Sequence, residues 1–466
     1  MKMKKIFSLL LLVVVTFSLA ACRRVSAVVL DWNVISDDLE IDTSQKVRVI
    51  FWHTYGKENQ NLLDEFIAEF KVLYPHIEIV HEQKGGYDEI RNAVNTALPA
   101  GNEPTMVTGY SDHVAGYINS GRVLPLNNLI NNKNPEIAFT QAEINDYITA
   151  FWDEGTVYDN AGTVLNLPYS KSTEAMFYNK TFFAKHNLTV PKTWDEVRSV
   201  SERIRTIIDA DTTLTDDQKK EVIPFGYDSE SNLFITAAEQ KKIPYTSINE
   251  ESLEGEILFN NDEAKSMVEY FNAMVQDKLF TTKALLAGAY TSTKFTEQKL
   301  YMTIGSTGGT NYNIPAGNAF EVGVAPIPQF DLENQKVIQQ GPNINMFLKD
   351  NVQENIAAWL FLKYITAPEQ SARWSVSTGY SPVRNSSYDT DTYKNYVNKE
   401  NPTTKDKIFI DVFEVSRQQV DYYYTSPAFD RSSKARDQVG NLLYVVFSGQ
   451  KSINDAFKDA YQETIR

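Results

Sequence analysis

From residue 46 onward the chain alternates strand-like and helix-like runs, and this alternation is what most limits its fold. "KVRVIFW" (46–52) is a short run rich in β-branched and aromatic residues. "NQNLLDEFIAEFKVLYP" then puts Leu62, Leu63, Phe66, Ile67, Phe70 and Leu73 on one helical face, and Pro75 stops it. "HIEIVHEQ" alternates as a strand does, and "YDEIRNAVNTAL" reads as a helix closed by Pro99 and Gly101. "PTMVTGY" and "DHVAGYINSG" repeat the pair. Strand and helix in strict turn predict a parallel sheet with covering helices and right-handed crossovers.

The pattern resumes at "TWDEVRSVSERIRTII", where Thr193 and Glu196 have capping-box spacing. Residues 209–221 are polar and read as a surface loop. "NDEAKSMVEYFNAMVQDKLF" is a long amphipathic helix, "KLYMTIGSTGGT" a strand entering a glycine-rich turn, and "AFEVGVAPIP" and "NINMFLKD" further strands. The last third is helical. At 466 residues the chain exceeds one core and implies two lobes. No low-complexity linker separates them, so the chain is expected to cross between lobes more than once.

The N-terminus carries a different signal. Lys2, Lys4 and Lys5 precede an apolar run from Ile6 to Ala21, the order of a secretory signal peptide. The run has 16 residues, fewer than the roughly 20 that span a bilayer. "LAAC" sets small residues before Cys22, the chain's one cysteine, and resembles a bacterial lipoprotein cleavage site. The expectation is a signal peptide over 1–21, lipid attachment at Cys22 and a tether over 22–45. Removing the leader moves the net charge from −15 to −18. An acidic chain of this kind argues against nucleic acid as a partner and leaves the acyl chains to hold the membrane.

Catalytic and metal motifs are weak. His76 and His81 lie on opposite faces of an alternating strand, and no H-E-x-x-H occurs. "GSTGG" has Thr307 where a nucleophile-elbow serine would stand. No phosphate-loop pattern is present, but Ser306, Thr307 and Gly308 follow a strand and can bring backbone N–H groups to a hydroxyl-rich ligand. Neither metal nor cofactor is expected. With 60 Asp and Glu residues, an exported glycosidase or phosphodiesterase stays open as the alternative.

"NLPYSKSTEAMFYNKTFFAKHNLTVPKTWDEV" (166–197) resembles the signature region of bacterial extracellular solute-binding proteins of family 1, the capture subunits of carbohydrate-type ABC importers. "GVAPIP" and "FLKYITAPEQSARWSVSTGYSPV" match later blocks. The resemblance implies a two-lobed α/β periplasmic-binding-protein fold, each lobe a mixed, mostly parallel sheet. It implies lobe 1 over 46–168 and 307–365, and lobe 2 over 169–306 and 366–466. It further implies a monomer that passes a small-molecule ligand to an ABC permease. Within the family the likeness is greatest to the glycerol-3-phosphate-binding type, through "IFWHTYGKENQ", "KGGYDEIRNAV" and "AGNEPTMVTGY". By that match Tyr87, Ser172, Gly341, Tyr380 and Arg436 fall on ligand-contacting positions. One departure stands out: the subfamily has a glutamate directly after the third-strand tyrosine, whereas Tyr110 is followed by Ser111 and Asp112.

Arg436 can grip a phosphate bidentately. Tyr87 and Tyr380 offer ring faces or hydroxyls to a polyol. Trp52, beside His53, can stack on a sugar, as can Trp194, although its place at a capped helix start favours packing. Asp112 can accept sugar hydroxyls or begin a helix.

Overall fold

The computed structural model describes residues 30–249 and 254–466. The apolar leader and Cys22 lie outside the described residues. The second half of the expected tether is not free. Ile35 and Leu39 are buried in the first lobe's core, and the Asn128 side-chain amide donates to the carbonyls of Trp32 and Ile35.

The first sheet starts with β1 (Val47–His53), then helix α1 (Lys57–Leu73), β2 (Ile77–Gln83), helix α2 (Tyr87–Ala97), β3 (Met106–Gly109) and helix α3 (Ser111–Tyr117). β1 lies between β2 and β3 and is parallel to both, as the alternation predicts. Every second residue of β1 is buried: Val47, Val49, Phe51 and His53. On α1, Leu63, Phe66 and Phe70 are fully enclosed. Burying a side chain of that size contributes roughly 1.5–3 kcal/mol over leaving it in water. After the short helix α4 (Thr149–Asp153), β4 (Asn166–Pro168) forms the sheet's far edge.

The second sheet opens with β5 (Glu174–Asn179) and, beyond helix α5 (Trp194–Ala210), continues through β6 (Phe225–Tyr227) and helix α6 (Glu230–Gln240). The α5 start carries the predicted Thr193–Glu196 capping box, and Trp194 packs beneath it with Nε1 donating to Gln240 Oε1 at 2.8 Å. Residues 209–221, read as a loop, hold a helical turn at Asp216–Glu221 because Thr215 and Gln218 form another capping box. β7 (Thr246–Ile248) and β8 (Gly255–Ile257) pair as a separate hairpin. β9 (Phe280–Thr282), β10 (Met302–Ser306) and β11 (Val322–Ala325) complete the second sheet, in the order β11-β5-β10-β6-β9. Adjacent residues of β5 enter different cores, Met176 on one face and Ala175 and Phe177 on the other, so this sheet is covered on both sides.

β12 (Val337–Ile338) leads back to β13 (Asn343–Met346), which inserts antiparallel between β3 and β4 of the first sheet. Each sheet thus has two parallel and two antiparallel pairings rather than mostly parallel ones. Strands that arrive from the other lobe skip the helical crossover, so nothing imposes parallel direction on them. Helices α7 (Val352–Ile365) and α8 (Pro368–Thr378) pack on the first lobe; α9 (Thr404–Gln419), β14 (Tyr423–Tyr424) and α10 (Ser432–Phe447) follow.

Two segments depart from the expected lobe boundaries. β11, inside the 307–365 segment expected in lobe 1, pairs with β5 in the second sheet. α8, expected in lobe 2, sends Trp374 into the first core, 5.0 Å from the Tyr55 ring and 4.8 Å from Tyr169. The passages between sheets are laced together. Ser172 and Gln340 exchange backbone hydrogen bonds at 2.9 and 2.7 Å, and Ser381 N–H donates to the Lys171 carbonyl at 2.7 Å.

Gly341 sits in one passage at φ +86°, where an added Cβ would lie 1.9 Å from the Ser170 carbonyl oxygen. Its place is therefore structural; it belongs to the crossing strands and does not line the cleft. Gly341→Ala is expected to destabilise the protein by more than about 1 kcal/mol, through positive φ and steric overlap together. A lowered urea midpoint checks this; an unchanged midpoint refutes it.

Candidate functional site

Between the two sheets lies a cavity of about 700 Å³. Its first-lobe wall comes from residues that follow β2 and β3. Tyr87 opens α2, and its ring is 4.8 Å from that of Tyr110, the residue before α3. Asp112, in the first turn of α3, also lines the wall, so it is not the helix cap; Tyr110 holds that position.

The opposite wall is built around Glu174 at the start of β5. Its carboxylate accepts from the Tyr227 hydroxyl and, at 2.8 Å, from Asn232 Nδ2. Asn232 Oδ1 then accepts from the Arg436 guanidinium. The amide orientation is fixed by these two neighbours, one taking its protons and the other giving one. Asn232 is placed by α6, whose N-cap Ser229 accepts from the Asn232 N–H. Burial raises the Glu174 carboxyl from 4.5 to about 7, against the hydrogen bonds and Arg436, which lower it. Burial also raises Asp228, while the hydroxyl and N–H of Thr291 pull it back.

Where the lobes meet, Ser306 Oγ and Ser172 Oγ are 3.1 Å apart, with Gln340 and Tyr380 beside them. The turn after β10 forms the 3₁₀ helix Thr307–Asn313, and Ser306 Oγ accepts from the Gly308 N–H. At Gly308 a Cβ would meet the Tyr380 ring at 2.6 Å, so glycine there lets the tyrosine lie against the turn. At the mouth, Tyr290 and Tyr312 are 56% and 75% exposed, and Lys283 Nζ stands 3.9 Å over the Tyr290 ring. Arg91 of α2 pairs with Asp437 of α10 at 3.1 Å, joining the lobes across the cleft.

Of the residues singled out from sequence, Tyr87, Asp112, Ser172, Ser306, Gly308, Tyr380 and Arg436 converge on this cavity. Trp52, His53, Thr307 and Gly341 do not. Trp52 packs on the cluster containing Ile90 and Val94, under the Lys84 ammonium at 4.3 Å. His53 is on the other face of β1, fully buried, 4.8 Å from the Tyr55 ring and 2.8 Å from His81 Nδ1. Burial, helped by His81, lowers its pKa to about 3. Thr307 is fully buried, and its N–H and hydroxyl bind the Thr173 backbone.

Sequence reasoning missed Tyr110, Glu174, Asn232, Tyr290, Tyr312 and Asn313. Tyr312 and Asn313 lie just beyond the glycine-rich turn already flagged. Glu174 is a carboxylate in a strand otherwise fit for burial, and an enclosed charge needs partners. No local pattern marks Asn232 or Tyr290.

Two sheet-centred lobes, laced crossing strands and a polar, tyrosine-lined cleft define the class of two-lobed solute receptors. The match to the bacterial extracellular solute-binding protein model covers residues 65–401, and the chain belongs to that family. The sn-glycerol-3-phosphate-binding periplasmic protein UgpB of Shigella flexneri is 23% identical over 351 residues, 73% of this chain and 75% of that one. UgpB of Salmonella typhimurium is 23% identical over 360 residues, 75% and 77% of the two chains. Among solved structures, UgpB of Mycobacterium tuberculosis in complex with glycerophosphocholine has a TM-score of 0.71 at 18% identity, covering 90% of this chain and 98% of that one. The GacH receptor of Streptomyces glaucescens, solved unliganded and with acarbose, has a TM-score of 0.69 at 17% identity, with the same coverage.

Proposed function

We propose that the protein captures an oligosaccharide-sized, hydroxylated solute outside the cell and delivers it to an ABC permease. The carrying observation is the cleft itself, a space of about 700 Å³ walled by both lobes and by the crossing strands. That volume is within the range of sites enclosing sizeable ligands and exceeds what glycerol phosphate alone fills. The walls present tyrosine rings, hydroxyls and amides. Asn313 is 2% exposed, with Oδ1 lacking a partner, a ready acceptor for a sugar hydroxyl. The charges do not favour a dianion: Arg91, Lys283 and Arg436 face Asp88, Asp112, Asp228 and Asp437. Closure supplies the binding energy, because only the closed form satisfies both halves of the ligand.

The finer parts of this reading are also proposals. Cys22 carries the lipid that holds the protein, as a monomer, on the outer membrane face. The lobes divide along the sheets, with α8 on the first and β11 on the second. The solute leaves unaltered; the family and the relatives are binding proteins, not enzymes.

A thermal-shift screen of the purified protein against oligosaccharides, polyols and their phosphates tests the reading. A true ligand at 100 times its dissociation constant adds about 2.7 kcal/mol of stability. Stabilisation by no compound of either kind would sink it. A second reading, glycerol phosphate or one of its diesters, is favoured by Arg436 in the cleft and by the UgpB relatives. In that case Arg436→Ala is expected to weaken sn-glycerol 3-phosphate about ten- to a hundredfold, the worth of a charge-assisted bond. Unchanged affinity rejects the phosphate assignment.

A further inference from the structure

The segment that precedes β1 is sewn to the first lobe from Leu30 onward. Leu30 packs on the cluster that contains Tyr158 and Leu165. Trp32 Nε1 donates to Thr163 Oγ1 at 2.7 Å, and Ile35 and Leu39 are 4% and 7% exposed. The Asn134 side-chain amide donates to the Leu39 carbonyl at 3.2 Å. Lys133 gives its N–H to the Asp37 carbonyl at 2.8 Å and its ammonium to the Asp37 carboxylate at 3.2 Å. Gln353, in the first turn of α7, then grips the chain twice: Nε2 donates to the Glu40 carbonyl at 2.9 Å, and Oε1 accepts from the Asp42 N–H at 3.0 Å. To lift this strap off, the lobe must return Ile35 and Leu39 to water and give up these bonds together. It is a dock and not a spacer.

The dock shortens the reach of the chain. Between Cys22 and Leu30 stand seven residues, Arg23 to Val29. Covalent geometry lets them carry Leu30 on the order of 30 Å from Cys22, whereas a tether free as far as β1 would reach about 90 Å. The shorter reach is less than the width of one lobe, roughly 40 Å for about 200 residues; the longer one would let either lobe lie next to the membrane. Charge acts in the same sense. From Leu30 to Gln45 the strap has five carboxylates and no lysine or arginine, while Arg23 and Arg24 stand beside Cys22. An anionic lipid surface draws the two arginines in and holds the strap off, over a Debye length of about 8 Å at physiological salt.

We propose that the strap is a mooring, which turns the first-lobe face around Trp32 and Thr163 toward the lipid surface and keeps it within that short reach. The first lobe is then the anchored body, and the second lobe does the moving when the cleft closes. The inference rests on lipid attachment at Cys22 and goes beyond it by assigning the membrane side to one lobe.

The test uses the full chain, made with its leader in a bacterium that processes lipoproteins. The purified protein is added to preformed phosphatidylcholine vesicles with a fluorescent acceptor on their headgroups. A donor dye is placed at Ala161→Cys, exposed and two residues before Thr163, or at Lys458→Cys, exposed on the second lobe's helix α11 (Ile453–Ile465). A cysteine whose sulfur carries lipid takes no dye. Energy transfer to the membrane is expected to be about twofold stronger from position 161 than from position 458, as the short reach requires. Ile35→Asp with Leu39→Asp lifts the strap, and the two efficiencies are then expected to converge. Should that variant fail to fold, as its melting curve would show, a glycine-serine insertion of the strap's own length between Val29 and Leu30 keeps the dock and is expected to remove the difference too. Equal transfer from both positions, stronger transfer from 458, or a difference that survives the insertion overturns the mooring. Lipid attachment would still stand in those cases, since only protein on the vesicle transfers at all. Protein that does not float with the vesicles sinks the lipid reading itself, and the mooring with it.

Discussion

Glu154→Ala is expected to cost about 3–5 kcal/mol, the penalty for stranding one partner of a buried ion pair. Lys171 has no exposed surface, and its Nζ lies 2.5 Å from Glu154 Oε2 and 2.8 Å from the Gly341 carbonyl. Burial draws the Lys171 pKa down, and Glu154 draws it back up. Without the carboxylate the ammonium would keep one carbonyl in a dry site, so it would give up its proton or pull the structure open. Glu154 also accepts from Gln339 Nε2 and, at 3.0 Å, from the Ser111 hydroxyl. One carboxylate thus holds two crossing strands, through Lys171 and Gln339, to the first-lobe wall of the cleft. The urea midpoint of the variant reads the loss. The double variant Glu154→Leu with Lys171→Met is expected to recover part of it, since apolar pairs often replace buried ion pairs at little cost. Ser111 and Gln339 still lose a partner there, so recovery is incomplete. A single-variant loss below about 1 kcal/mol, typical of an exposed pair, would refute this account.

How much of this was legible in the sequence depends on the range of the interactions. α1 and β1 were readable because their signals are local: an apolar stripe at 3.6 residues and an alternation at 2. The α5 cap was readable for the same reason, with Thr193 and Glu196 three residues apart. The lobe membership of β11 and α8 was not, because a strand's partner and a helix's bed are chosen by contacts distant in sequence. Val322–Ala325 looks the same whether it joins β5 or β13. Trp52 and His53 show the limit for the site. They stand at the right end of a central strand, but α2 and Tyr55 cover its faces, and no local pattern reveals that cover. Tyr87, Tyr380 and Arg436, hundreds of residues apart in part, came from family resemblance rather than spacing, and the fold brings them to one cavity.

Glu174→Gln is expected to make the protein more stable than wild type at pH 8 and no different near pH 4.5. Burial sets the folded Glu174 near 7 against an ordinary value of 4.5. Between those values the folded chain keeps a proton that the unfolded chain has released. Stability therefore falls as pH rises through this window, by up to about 1.36 kcal/mol per pH unit. Below it both states are protonated and above it both are ionised, so the contribution is flat on either side. The whole step amounts to about 3 kcal/mol at most, held against the protein at alkaline pH. Glutamine keeps the shape and one acceptor for Tyr227 or Asn232, and cannot ionise. Other titrating groups cancel when the variant is compared with wild type at each pH. Urea midpoints at pH 5, 6, 7 and 8 give that difference directly. It should grow from near zero and level off above pH 7; a difference independent of pH would show that Glu174 is ionised throughout and that its enclosure by Tyr227 and Asn232 does not hold its proton.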